Sequence, residues 1–149
     1  MQEYLGPHQI KMKAWISCAP FERLLNIKIE QVTDGQAVLS MPFTLKLAQG
    51  LGLMHGGALV SLADTAMVMA IKSLLAPKTY FTTISMESRF LYPVKKGIVT
   101  AKARVTARQG QLLDGRVTLY NDEQREVMQF FARFQVAREA QIKAVSFCD

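Results

Sequence analysis

The segment "LMHGGALVSLADTAMVMAI", residues 53–71, is the least polar long stretch of the 149-residue chain, yet it holds His55, Gly56, Gly57 and Asp64. His55 and the glycine pair stand where the apolar run begins. The first N–H groups of a helix lack partners inside it, and with the helix dipole they make a site for a negative charge or a polarised oxygen. Glycine there lets another group approach the backbone closely. The same pair equally suits tight helix–sheet packing, with His55 as a cap. Asp64 is the sharper signal, because an ionised carboxylate in apolar surroundings is costly unless paired or hydrogen-bonded. Its neighbours on a helix surface are Val60, Ser61, Met67 and Val68, with no Lys or Arg within one turn. A helix face open to solvent, or a strand arginine such as Arg89, would explain it structurally. A catalytic role would explain it chemically, since buried ionisable groups cluster at sites. Gly56 and Asp64 lie eight residues apart, about 12 Å along a helix axis. One bond cannot be polarised at the first and attacked with help from the second on the same helix. Joint action demands an oligomer, with two such helices side by side and antiparallel.

Several elements must position these groups. The apolar pattern predicts a long helix over about 55–76, ending ahead of Pro77. Ile10, Met12, Trp15 and Ile16 recur at roughly helical spacing and predict an N-terminal helix over about 8–18. "FERLL" then reads as a short turn. Leu25, Ile27 and Ile29 alternate with polar residues, as in a half-buried strand, and Asp34–Gly35 marks a hairpin into a second strand carrying Ala37, Leu39 and Met41. Residues 43–54 read as a loop. Four strand-like runs follow the long helix. In "TTISMESRFL", Ile84, Met86 and Phe90 share one face and Thr83, Ser85, Glu87 and Arg89 the other. In "GIVTAKARVTAR", Val99, Ala101, Ala103, Val105 and Ala107 share a face. "LLDGRVTLY" and "EVMQFFARFQVA" complete a meander, with Met128, Phe130, Ala132, Phe134 and Val136 inward. Hairpin-linked strands grouped around one helix indicate an α+β domain, its curved, mostly antiparallel sheet wrapped around one long central helix. The reading is one domain over 1–149, with a core of about 19–137 and a tail at 138–149.

Half the residues are hydrophobic and a fifth charged, as in a folded soluble domain rather than a disordered chain. The net charge of +6 suits an anionic partner or merely a solvated surface. Asp64, Ser61 and Thr65 argue against a membrane span in the long helix. Cys18 and Cys148 show no metal-binding spacing and read as free thiols in a reducing compartment, with a disulfide between them as the alternative. The first 20 residues show no export signal, which points to the cytoplasm.

"MHGGALVSLADTAMVMA", together with "PFERLLNIKIE" and "TTISMESRFLYPVKKG", resembles the hotdog-fold acyl-CoA thioesterases of the phenylacetate-degradation type. Their motif is His-Gly-Gly followed, nine residues after the His, by Asp. The resemblance covers about residues 19–137. It implies a hotdog fold, dimers with antiparallel helices that often pair into tetramers, and hydrolysis of acyl-CoA to acid and coenzyme A. It also implies catalytic roles for His55, Gly56, Asp64 and Thr83. The Gly56 N–H would polarise the thioester carbonyl, and Asp64 of the neighbouring subunit would be general base or nucleophile. Thr83 would position the water or the acid. Gln49 stands where the family usually has an Asn that contacts the catalytic water or carbonyl. Gly57 and Met54 would line the substrate, with Met67, Met69 and Met86 as further wall or plain core. Arg89, Lys95 and Lys96 are candidates for the coenzyme A phosphates. The resemblance calls for no metal and no organic cofactor, coenzyme A being part of the substrate.

A hydratase or dehydratase on the same fold needs a His–carboxylate pair and characteristic segments missing here. A non-catalytic acyl-CoA sensor on the same fold is the main alternative, and it would not need the acid. No aromatic-and-basic motif supports nucleic-acid binding.

Overall fold

The computed structural model describes residues 10–138. Helix α1 (Pro20–Leu24) leads into strands β1 (Lys28–Thr33) and β2 (Gln36–Pro42), then helix α2 (Gly56–Lys72). Strands β3 (Phe81–Phe90), β4 (Ile98–Gln109), β5 (Leu112–Tyr120) and β6 (Glu126–Val136) follow. All six strands form one antiparallel sheet in the order β1-β2-β4-β5-β6-β3. The β1–β2 hairpin turns at Asp34 and Gly35, both at positive φ (47° and 76°), the geometry a two-residue hairpin favours.

The sheet curves around α2. Leu39, Met41, Val99, Ala101, Leu113, Val117, Leu119, Phe130 and Phe134 point inward from the sheet and are buried against Leu62, Ala66, Met67 and Ala70 of the helix. Burial of such side chains at roughly 25 cal/mol per Å² is what holds a helix to a sheet. In mid-β5 a Cβ on Gly115 would come within 2.1 Å of the Met67 Sδ and 2.4 Å of its Cε. The missing side chain is thus the space that Met67 fills.

Several expected boundaries move. Residues 10–18 form no helix, and residues 8 and 9 lie outside the described residues. Tertiary contacts override the helical spacing there. The Trp15 Nε1–H donates to the Lys72 carbonyl (3.0 Å), while the Lys72 ammonium donates to the Trp15 carbonyl (3.0 Å) and sits 4.8 Å from the ring centroid. "FERLL" is not a simple turn, since most of it belongs to α1. The first strand begins at Lys28 because Asn26 takes a positive φ (57°), so Leu25 and Ile27 are buried ahead of it. A short 3₁₀ turn, Leu45–Leu47, interrupts the 43–54 loop. Helix α2 closes at Lys72, four residues before the expected end. Ser73 there donates its hydroxyl to the Ala70 carbonyl (2.6 Å) and accepts the Gly35 N–H (2.7 Å), tying the helix end to the β1–β2 turn.

Two apolar strand faces are not buried throughout. A register shift between Val105 and Ala107 leaves Ala107 exposed. Ile84, Met86 and Phe90 are 52%, 47% and 56% exposed, because β3 is the last strand of the sheet and carries its own shift between Thr83 and Ser85. Cys18 has no disulfide partner among the described residues; its thiol donates to the Ile27 carbonyl (3.4 Å), and burial pushes it above the usual thiol range. Cys148 and residues 139–149 of the expected tail lie outside the described residues. No helix among the described residues is long and apolar enough to cross a membrane.

Candidate active site

The start of α2 is built around His55. With φ −62° and ψ 132° it occupies the cap position, and its Nδ1 accepts the Gly57 N–H at 2.8 Å. A Cβ on Gly57 would sit 2.9 Å from that nitrogen, so the second glycine lets the ring fold back onto the helix end. The His55 N–H donates to the Leu47 carbonyl (2.7 Å), which anchors the cap to the preceding loop. Gly57 thereby spends its N–H on the cap. The Gly56 N–H meets no acceptor among the described residues. A Cβ on Gly56 would come within 3.2 Å of the Phe90 ring.

Gln49 lies in the turn just before. Its N–H donates to the Leu53 carbonyl (2.8 Å), its carbonyl accepts the Gly52 N–H (2.9 Å), and its side-chain oxygen accepts the Leu51 N–H. That oxygen is therefore engaged within its own turn. Met54, expected to line the substrate, is buried in the core of the single chain. Met67 and Met69 are core as well. The Met54 N–H donates to the Val94 carbonyl (2.9 Å), which draws the exposed Lys95 and Lys96 close to the start of α2.

Two turns further along the helix stands Asp64, half-buried. Its Oδ1 accepts the Thr83 hydroxyl at 2.9 Å, a bond that joins α2 to β3 at that strand's register shift. The carboxylate faces a cleft of about 330 Å³ whose lining includes Phe21, Glu22, Val60, Ser61, Thr65 and Met86. Ser61 turns its hydroxyl back to the Gly57 carbonyl (2.8 Å), leaving Thr83 as the donor to Asp64. Burial pushes the Asp64 carboxyl above the usual carboxylate range; the Thr83 bond opposes this, and the nearby Glu22 charge adds to it.

Asp64 has no ion-pair partner among the described residues. The alternative of a pairing with Arg89 fails. Arg89 bonds Glu87 (2.9 Å) and lies over the Phe131 ring (5.7 Å), so it does not join the Asp64 cleft either. No cluster that could hold a metal ion occurs among the described residues. The structure therefore brings Asp64 and Thr83 together, and separately gathers Gln49, His55, Gly56 and Gly57 with Lys95 and Lys96 nearby. Phe21 and Glu22 were not foreseen in the cleft. Nothing in "PFERL" signals a neighbour so far along the chain.

Comparison with known proteins decides the lineage of this helix and sheet. Residues 51–128, just over half the chain, match the thioesterase superfamily. The chain belongs to that superfamily. Among solved structures of the superfamily's shape, the Escherichia coli PaaI protein from the phenylacetic acid degradation operon is 28% identical, with a TM-score of 0.75, covering 80% of this chain and 86% of that one. A conserved Pseudomonas aeruginosa protein superposes with a TM-score of 0.79 over 85% of this chain and 100% of its own, at 23% identity. This thioesterase-superfamily chain thus has the α+β hotdog fold of the PaaI type. A 1,4-dihydroxy-2-naphthoyl-CoA hydrolase of Listeria monocytogenes is 29% identical over 82 residues, 55% of this chain and 67% of that protein. A candidate esterase of Pasteurella multocida is 36% identical over 64 residues, and the match spans 43% of this chain and about half, 46%, of the relative.

Proposed function

We propose that the protein hydrolyses acyl-CoA thioesters at a site shared by two copies of the chain. The observation that carries this reading is Asp64, a half-buried carboxylate with no cationic mate among the described residues, held by Thr83 at the edge of an open cleft. Such a group is available as a base, and burial strengthens it for that work. The thioester carbonyl oxygen accepts the Gly56 N–H at the positive end of α2, where charge develops as the carbonyl is attacked. Asp64 of the neighbouring subunit takes a proton from water as its oxygen bonds to the carbonyl carbon, or attacks the carbon itself. The C–S bond then breaks, and the sulfur leaves as thiolate or takes up the proton that Asp64 drew from water; where Asp64 itself attacks, water then hydrolyses the resulting Asp64–acyl anhydride, freeing the acid and restoring the carboxylate. Lys95 and Lys96, beside the helix start, suit the phosphates of coenzyme A.

The pairing has support in β3. Its ten residues end the sheet with an unpaired edge among the described residues, beside exposed Ile84, Met86 and Phe90. A long apolar edge favours another strand. A second copy of β3 running antiparallel would set two α2 helices antiparallel and side by side.

The test is complementation. Gly56→Pro removes a single N–H at the first helical position, where proline is tolerated, and His55 already has the extended backbone that a following proline requires. Gly56→Pro and Asp64→Asn should each abolish thiol release from acyl-CoA. Mixed and co-refolded, they should regain activity, because one of the two shared sites is then intact. No regain from folded mixed dimers refutes the shared site. Tight acyl-CoA binding without thiol release by the native protein would favour the sensor.

A further inference from the structure

The Asp64 cleft continues along α2. A hollow of about 340 Å³ follows it, lined by Trp15, Val68, Phe81, Thr83 and Phe134 among others. Val68 lines both spaces, and Thr83 is the residue bonded to Asp64. Asp64, Val68 and Lys72 occur at every fourth position and lie on one helix face. From Asp64 to Lys72 this face extends about 12 Å. Phe81 is half-buried at its base, with the fully buried Phe134 ring behind it, the ring centroids 6.1 Å apart and tilted by 57°.

Trp15 stands at the far end. Beyond it lies a second hollow of about 510 Å³, reached by Ile10, Met12 and Tyr80, and Trp15 and Lys72 line both hollows. The indole is fixed there from both sides by the reciprocal bonds with Lys72 described above. Because the Lys72 ammonium already bonds the Trp15 carbonyl and lies against the ring, it caps the groove from a satisfied position. Lys72, Thr79, Tyr80, Thr82 and Thr83 also line this hollow, while Trp15, Val68 and Phe81 offer the apolar surface that the methylenes of an acyl chain would cover.

We infer that this groove holds the acyl chain of the thioester, and that Trp15 is its end wall and limits the chain to medium length. The inference rests on the thioesterase reading of Asp64. It assigns Trp15 to specificity and gives it no part in the chemistry.

The experiment measures kcat/KM for butyryl-, octanoyl-, dodecanoyl- and palmitoyl-CoA by thiol release, with folding of each variant verified by circular dichroism. The native protein should prefer octanoyl-CoA and discriminate against palmitoyl-CoA. Trp15→Ala joins the groove to the outer hollow. It should raise the palmitoyl-to-octanoyl ratio about tenfold or more, since two further buried methylenes are worth roughly one power of ten. Val68→Phe narrows the groove midway and should lower the octanoyl-to-butyryl ratio about tenfold. An unchanged ratio in an active, folded Trp15→Ala protein overturns the end wall. If that variant does not fold, Val68→Phe decides alone, and an unchanged ratio there overturns the groove. Absence of thiol release from every substrate by the native protein overturns the thioesterase reading, and this inference with it.

Discussion

Thr83→Val changes one hydroxyl at the centre of the proposed chemistry and little else. Both side chains are β-branched and suited to a strand, so β3 should keep its course. What disappears is the 2.9 Å bond to the Asp64 Oδ1. A hydrogen bond to a charged acceptor contributes about 1.5–3 kcal/mol, and partial solvent access at Asp64 brings this nearer about 1 kcal/mol. That corresponds to roughly a fivefold change in rate. Two effects compete. Without the Thr83 donor, burial and the Glu22 charge act unopposed, so the Asp64 carboxyl rises further and becomes a stronger base once ionised. It is also protonated over more of the acid range and loses its fixed direction. Below the acid limb both losses act together, so kcat/KM should fall about fivefold and the limb should move to higher pH. On the alkaline plateau the stronger base offsets part of the loss. The assay is thiol release from acyl-CoA across the acid and neutral range, with Thr83→Ser as the control that restores the hydroxyl. A Thr83→Val limb at the native position, or a Thr83→Ser protein as impaired as Thr83→Val, would refute the coupling of these two residues.

The remaining predictions concern the same helix. Asp64→Asn should lower kcat by 10²–10⁴ and at the same time stabilise the fold near neutral pH. The Asp64 carboxyl is raised in the native state, so its ionisation costs stability that is present at low pH and lost as pH rises through the folded value. Thermal unfolding should therefore show a higher Tm for the variant at neutral pH, with the gap closing on acidification. His55→Ala removes the cap on the Gly57 N–H and should cost about 1 kcal/mol in chemical denaturation. Gly115→Ala drives a Cβ into Met67 and should cost about 1–3 kcal/mol, and with the cavity-forming Met67→Ala in the same chain the total loss should be smaller than the sum of the two single losses. Additive losses in that double variant would argue against the steric account.

Period and punctuation in the sequence carried most of the architecture. The alternation in β2, the first half of β4 and β6 matched a sheet with one buried face, and Asp34–Gly35 marked its hairpin. The misreadings share one cause, which is that local pattern yields to distant contact. The helical spacing of residues 10–18 lost to the Trp15–Lys72 bonds, and the last turn of the predicted long helix lost to Ser73 and Gly35. The apolar side of β3 was legible as a burial signal, but the single chain offers nothing to cover it. At the site, the isolation of Asp64 from any local cation was visible in the spacing alone. That Thr83 donates to it depended on a register shift in β3, which no alternation pattern encodes. Glu22 reaches the cleft through chain topology and left no mark in the spacing.

Gly115 and Met67 also bear on the Asp64–Thr83 pair. Met67 follows Asp64 by three positions, and its sulfur drops into the notch that the glycine leaves in β5. The notch works like a keyway. It indexes α2 against the sheet in both slide and roll, and so sets where the acid comes to rest relative to the β3 hydroxyl. A bulkier residue in that slot could detune the acid from the opposite wall of the domain.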